Sequence, residues 1–292
     1  MNYLITHTTE YIYDGAISLC HNVARLIPRT TPSQTCKKTN VEILPEPDVL
    51  SEYEDFFGNK VLYFAIQQEH KKLKVTVSSN IVKQGVRKLE TELLQQISWE
   101  DVKAQLHEPT PEMLDAKQYI PDTLMTAVSP LIIEYASQSY TAGNSMFDAT
   151  LDLMQRIFRD FEFKPGFTTI STPVEEVMKT KKGVCQDFAH LAIACVRSMG
   201  LPARYVSGYI ETIAPEGKEK LVGADASHAW FAIFIPKIGW IDFDPTNNVI
   251  PSDRHISIGW GRDYADVTPL KGIVLSSGKH ELSVSVDVRR TS

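Results

Sequence analysis

Gly183-Val184-Cys185-Gln186-Asp187-Phe188-Ala189 is the stretch on which the fold turns. A glycine turn stands just before the cysteine, and an apolar helical pattern follows it directly. Phe188, Leu191, Ala192, Cys195 and Met199 recur at i, i+3, i+4, i+7 and i+11, one face of a helix. Gly200 and Pro202 then stop it, glycine past the C-terminus and proline unable to continue. Cys185 therefore sits at the helix N-terminus. Unpaired N–H groups and the helix dipole favour an anion there, so the thiol is expected to ionise more readily. A thiolate is the nucleophilic form, and backbone N–H groups beside it can hold an oxyanion.

A base and an acid lie downstream. Ser227-His228-Ala229-Trp230-Phe231-Ala232-Ile233-Phe234-Ile235 is rich in aromatic and β-branched residues and ends at Pro236, so it reads as a strand. Trp240-Ile241-Asp242-Phe243-Asp244 is a second strand, stopped by Pro245. The two are expected to form an antiparallel hairpin around Pro236-Lys237-Ile238-Gly239. His228 then falls near Asp242 or Asp244, which share a strand face because side chains alternate. Residue patterning leaves the choice between them open. A helix-borne Cys, a strand-borne His and an orienting carboxylate are the parts of an acyl-transfer site.

These three boxes resemble the core of the transglutaminase-like superfamily. Its pattern has a Cys at a helix start, a His in a His-Ala-Trp-like box, and an Asp four residues after a Trp and before Pro-Thr. The resemblance implies Cys185 as nucleophile, His228 as base and Asp244, rather than Asp242, as orienter. Leu201-Pro202-Ala203-Arg204-Tyr205-Val206-Ser207-Gly208-Tyr209 looks like the strand that follows the nucleophile helix in this family. Tyr209 and Trp230, aromatic residues of these boxes, are the substrate-contact candidates. The matching stretch spans about 140–250. Residues 1–85, through Tyr3-Leu4-Ile5-Thr6-His7, Tyr11-Ile12-Tyr13 and Asn22 to Arg29, are similar to the β-rich domain that precedes the core in bacterial members of the cysteine-protease type.

The expected fold class is α+β: a papain-like, transglutaminase-core domain whose Cys-bearing helix packs on an antiparallel sheet, preceded by an antiparallel β domain. The expected divisions are 1–85 for the β domain, 86–130 for a proline-broken connector and 131–292 for the catalytic core. Within the β domain, Val41 to Leu44, Val61 to Ile66 and Leu73 to Val77 read as strands of a sandwich. Its His7, His21 and His70 have no matched partner and read as surface or structural. Leu89 to Leu94 and Trp99 to Val102 suggest helical turns in the connector. Phe147, Leu151, Met154, Ile157 and Phe158 share a helical stripe, and Thr172 caps a short helix opened by Pro173. Trp260-Gly261-Arg262-Asp263-Tyr264 reads as a polar-aromatic loop which, on the family resemblance, lies near the site. Glu281 to Val288 alternates as a final strand.

At 292 residues, 43% hydrophobic and 23% charged, the composition is that of an ordinary globular chain. A net charge of −6 and the absence of a basic cluster with interleaved aromatics argue against nucleic acid as partner. Lys179-Thr180-Lys181-Lys182 is short and reads as solvated, or as a rim of the cleft. No run of about 18 apolar residues and no secretory leader are visible, so a cytoplasmic protein with no membrane contact is expected. The four cysteines make no disulfide framework. No Cys-x-x-Cys or His-x-x-x-His spacing occurs, so neither a metal nor a cofactor is implied.

The expected activity is thioester acyl transfer from a protein or peptide substrate, with water as acceptor. Animal transglutaminases carry a tryptophan upstream of the nucleophile that helps hold the oxyanion. No tryptophan lies between Trp99 and Cys185, which points to hydrolysis, by a cysteine protease or amidase. The alternatives are amine transfer by a protein-glutamine gamma-glutamyltransferase, and a catalytically silent binding module of the same fold. The second predicts a broken triad, whereas Cys, His and Asp are all present.

Overall fold

The computed structural model describes residues 1–84, 94–212, 226–275 and 278–291. Six strands come first: β1 (Asn2–Ile17), β2 (Cys20–Ala24), β3 (Gln34–Leu44), β4 (Val49–Glu54), β5 (Lys60–Ile66) and β6 (His70–Lys83). The expected turns at Leu89 to Leu94 fall outside the described residues apart from Leu94. Helices α1 (Trp99–Gln105) and α2 (Pro111–Lys117) follow, each capped by a hydroxyl, Ser98 and Thr110. Next come α3 (Pro130–Ser137), α4 (Met146–Asp160), β7 (Glu162–Phe163), α5 (Val174–Thr180), β8 (Lys182–Gly183) and α6 (Cys185–Ser198), the helix that Cys185 opens. The last strands are β9 (Ala203–Ile210), β10 (Ala226–Ile235), β11 (Gly239–Phe243), β12 (His255–Gly261), β13 (Leu270–Val274) and β14 (His280–Thr291).

They form three four-stranded sheets, in the orders β14-β1-β6-β3, β13-β2-β5-β4 and β11-β10-β9-β12, and a two-stranded β7-β8 pair. The third sheet carries α6. Phe188, Leu191, Ala192 and Cys195 share one buried cluster with Ala203, Phe231 and Ile233 of β9 and β10. The hairpin forms as expected, with Ile235 opposite Gly239. Gly200, past the end of α6, has φ +78°, the left-handed geometry that ends a helix cheaply only at glycine.

The first two sheets form the sandwich, but both ends of the chain build it. β13 pairs with β2, and β14 pairs with β1 over twelve residues. The sheet containing β1 is long enough to serve two bodies. Tyr13 and Ile17 pack into the sandwich with Phe64, Ile66 and Leu73. Tyr3 and Ile5, on the same strand face, pack with Tyr209, Ile256 and Ile258 of the α6-bearing sheet.

The outer edge of β12 is sealed by side chains. Gln34 donates to the Ser257 carbonyl at 2.7 Å and accepts from its N–H at 3.0 Å. Asn59 does the same for Trp260, at 2.8 and 3.0 Å. The Lys83 ammonium donates to the His255 carbonyl at 2.8 Å. Arg29 stacks 3.6 Å above the Trp260 ring, and Arg204 lies 3.9 Å from the same ring.

Four local expectations shift. In α4 the buried stripe is Met146, Ala149, Leu153, Met154 and Ile157, while Phe158 is exposed, because the helix sets its contact face one position round from the aromatic spacing. Pro173 is the N-cap of α5, not its first residue, since its ψ of 143° is extended; the Thr172 hydroxyl instead accepts from Thr169 N–H. Trp260 and Gly261 belong to β12, leaving only the Arg262 to Tyr264 part as a turn. His7 and His70 are buried and partnered, His7 by Thr9 and Tyr209 and His70 by Cys20 and the Gln68 carbonyl.

Asn59→Ala strands both peptide groups of Trp260 and removes an acceptor from Arg29, whose Nη1 lies 2.7 Å from Asn59 Oδ1. Unfolding in urea is expected to show a loss of roughly 2–4 kcal/mol, with far-UV dichroism of the variant unchanged before the transition.

Candidate active site

Cys185 is the first residue of α6 and is partly exposed. Its helix start is built around Asp187. One carboxylate oxygen accepts the Val184 N–H at 2.8 Å and the Thr168 hydroxyl at 2.6 Å. Burial pushes the Asp187 carboxyl up, against the pull of these two bonds. Gly183 makes room for the arrangement: a Cβ there would sit 2.9 Å from Asp187. The acid is thus a structural cap.

His228 lies near the start of β10, and Asp244 follows the end of β11. His228 Nε2 donates to Asp244 Oδ2 at 2.8 Å. Asp244 is completely buried. Its Oδ2 also accepts from His255 Nε2 at 2.9 Å and Asn247 Nδ2 at 2.7 Å. Its Oδ1 accepts the backbone N–H groups of Thr246 and Asn247. Burial opposes ionisation, yet the histidine donors hold the Asp244 carboxyl well below the usual carboxylate range. Burial likewise opposes charge on His228, but its bonds to Asp244 and then to Cys185 outweigh it and raise the imidazole to about 10. With Nε2 committed to Asp244, the nitrogen left for Cys185 is Nδ1.

Asp242 faces Ala232 across the hairpin. Burial pushes its carboxyl up, in part against Arg204. Tyr209 and Trp230 are buried, and neither lines the cavity at Cys185. Tyr209 donates or accepts at 2.8 Å with His7 Nδ1. Trp230 packs edge-on to His255 and against Gly208, where a Cβ would meet its ring at 2.4 Å. Strand alternation turns Trp230 into a small core with Val206 and Ala232.

The cavity itself has a volume of about 460 Å³. Tyr205, Ser207, Ser227 and Ala229 line it from the α6-bearing sheet, and Tyr264 and Leu270 from the segment after β12. His190 holds that segment in place: its Nε2 accepts the Tyr264 N–H at 3.1 Å, and its ring lies 4.9 Å from that of Tyr205. None of the lysines before Cys185 lines the cavity. Lys179 and Lys182 pair with Glu175 and Glu162, and Lys181 lies over Phe161.

His255 and Asn247 had no signal in residue patterning. Both act on Asp244 through tertiary contacts, and His255 comes from a strand that the α6-bearing sheet adds from beyond the hairpin. One ligand atom each from His228, Asp244 and His255 lie within 4.8 Å of one another, a donor set that suits zinc, although each already serves a hydrogen bond. All four cysteines are free, and burial pushes the Cys195 thiol up to about 12. No helix among the described residues is long and apolar enough to cross a membrane.

With this geometry in view, two family patterns match the chain. The bacterial transglutaminase-like N-terminal region matches residues 3–82, and the transglutaminase-like superfamily core matches residues 134–245. An uncharacterized protein of Mycobacterium tuberculosis is 37% identical over 98% of this chain and 92% of its own length. A protein-glutamine gamma-glutamyltransferase of Pseudomonas aeruginosa is 32% identical over 34% of this chain and 15% of its own length. A crystal structure of a "Putative Cysteine Protease" from Cytophaga hutchinsonii shares the fold, with a TM-score of 0.79 over 100% of this chain and 92% of the other, at 19% identity. The chain belongs to the transglutaminase-like superfamily and has its papain-like core behind an N-terminal β domain.

Two buried histidines, His7 in the cavity wall and His190 bonded to the Tyr264 N–H, set an acid limit on stability. Burial lowers His7 to about 4, and burial with the nearby Arg197 lowers His190 to about 3. A histidine depressed on folding stabilises above its unfolded value of about 6.5, and that contribution is lost as pH falls toward its folded value. Urea midpoints are expected to fall steadily from pH 6.5 to 4. In His7→Gln that slope is expected to be shallower.

Proposed function

We propose that this protein is a cysteine hydrolase that cleaves a peptide or carboxamide bond through a thioester on Cys185. The observation that carries the reading is the 2.8 Å bond between His228 and a fully buried, hydrogen-bonded Asp244, with Cys185 as the further partner that raises His228. That is the wiring a thiolate–imidazolium pair requires.

Cys185 Sγ attacks the substrate carbonyl carbon, and the carbonyl oxygen takes up the negative charge. The N–H groups at the head of α6, that of Cys185 among them, stabilise that oxyanion. The C–N bond then breaks, and the imidazolium of His228 gives its proton to the departing amine. Neutral His228 next takes a proton from water as its oxygen attacks the thioester carbon. The C–S bond breaks, a carboxylic acid leaves, and the proton on His228 returns the Cys185–His228 pair to its starting form. Asp244 fixes the Nε2–H tautomer throughout and favours the charged ring. Asn247 and His255 position Asp244.

The acceptor in the second half separates hydrolysis from amine transfer. The missing upstream tryptophan favours water, and the likeness to the Pseudomonas enzyme over a third of the chain keeps an amine as the second reading. Glutamine peptides release ammonia by either route, so the peptide product formed in the presence of a primary amine decides between them: glutamate for water as acceptor, the substituted amide for the amine. Incorporation of the amine into the peptide would replace the hydrolytic reading.

Cys185→Ala is expected to abolish turnover with no change in dichroism. Asp244→Asn removes the charge that raises His228, so the basic limb of the kcat/KM profile should move to lower pH, with a loss of 10²-fold or more. His255→Ala should shift the same limb in the same direction by less. Turnover retained in Cys185→Ala sinks the assignment.

A further inference from the structure

One wall of the Cys185 cavity comes from the sandwich, and its register is regular. β1 and β14 pair so that Tyr11 faces Leu282, Thr9 faces Val284 and His7 faces Val286. All six side chains line the cavity that holds Cys185 and His228. They form two rows on one face of one sheet, as alternation requires. The rows run from closed to open. His7, Val286 and Thr9 are buried, whereas Val284 is 51% and Leu282 53% exposed.

Two aliphatic side chains thus stand open in the cavity that holds Cys185. Tyr264 and Leu270 also line the cavity. Among the described residues, no Asp, Glu, Lys or Arg lines it. The histidine in the wall, His7, is held neutral by burial, at about 4. A charged substrate side chain seated on the Leu282–Val284 end of this wall would lose water and meet no charged side chain of the wall, since the His228 imidazolium is already paired with Asp244 and Cys185, while an aliphatic or aromatic one would cover Leu282 and Val284.

We propose that the β1–β14 face is the substrate-binding wall of this site, and that it selects a polypeptide whose residues next to the cleaved bond are uncharged and apolar. The proposal rests on the acyl-transfer reading above for its location, and it gives the sandwich a function: it recognises the chain that Cys185 attacks.

Binding tests it without turnover. Fluorescein-labelled, end-blocked hexapeptides with leucine, valine and phenylalanine around a central glutamine are titrated into Cys185→Ala and followed by anisotropy. Counterparts carrying aspartate or lysine at the flanking positions are titrated in parallel. The apolar peptide is expected to bind at least roughly tenfold more tightly than either charged one. Adding Leu282→Asp should weaken it by about the same factor. Val284→Thr, which keeps a β-branched residue in the strand, should weaken it less and serves as the deciding variant if Leu282→Asp does not fold. In the wild type, the apolar peptide should also slow alkylation of Cys185 by iodoacetamide. Equal binding of apolar and charged peptides, or binding indifferent to Leu282 and Val284 in folded variants, would overturn the proposal. Failure of the acyl-transfer reading is seen elsewhere, as turnover that survives Cys185→Ala.

Discussion

An edge strand with no strand beside it is the constraint on which this molecule is organised. β12 closes one side of the α6-bearing sheet, and its outer peptide groups must be satisfied in a buried setting. Gln34 and Asn59 each present a carboxamide, which offers the same donor and acceptor pair as a backbone peptide. Lys83 adds a third contact, to the His255 carbonyl. These side chains all belong to the sandwich, so sealing the edge also docks the two bodies. The cavity at Cys185 is the space left between them after Tyr3, Ile5, Tyr209 and Ile256 have packed.

The same docking reaches the chemistry through His255. Its carbonyl is held by Lys83, and its imidazole donates to Asp244. Asp244 in turn has five donors within hydrogen-bond reach: two imidazoles, one carboxamide and two backbone N–H groups. A carboxylate with no contact with water stays ionised only under such conditions. That requirement separates Asp244 from Asp242. Both lie at the end of one hairpin, but only Asp244 meets the donors, while burial pushes the Asp242 carboxyl toward its neutral form.

What was legible in the sequence follows the range of each signal. The helix that starts at Cys185, its glycine stop and the β10–β11 hairpin rest on local periodicity and turn residues, and all formed as read. The pairing of His228 with one of two aspartates followed from the hairpin, and the family pattern chose the partner that the geometry bonds to it. The rest was tertiary. His255 and Asn247 reach Asp244 through a strand and a turn with no patterned link to it. Trp230 and Tyr209 lie in the right boxes, but Trp230 is on the strand face opposite Ala229, and Tyr209, on the face of Tyr205 and Ser207, is buried against Tyr3 and Ile5 and bonded to His7, so the cavity takes Tyr205, Ser207 and Ala229 instead. His7 and the alternating run around Val284 were visible as strand residues, yet nothing local shows that two segments almost 280 residues apart pair beside Cys185.

That pairing also sets an order in time. A ribosome makes β14 after the other elements of the fold, and β14 supplies Val284 and Leu282 to the cavity that holds Cys185. During synthesis the helix, the imidazole and the carboxylate all emerge before that wall exists. A nascent chain therefore carries Cys185, His228 and Asp244 through translation before β1 gains its β14 partner. Delivery of β14, rather than of Cys185, is the last step in supplying the residues that line this cavity.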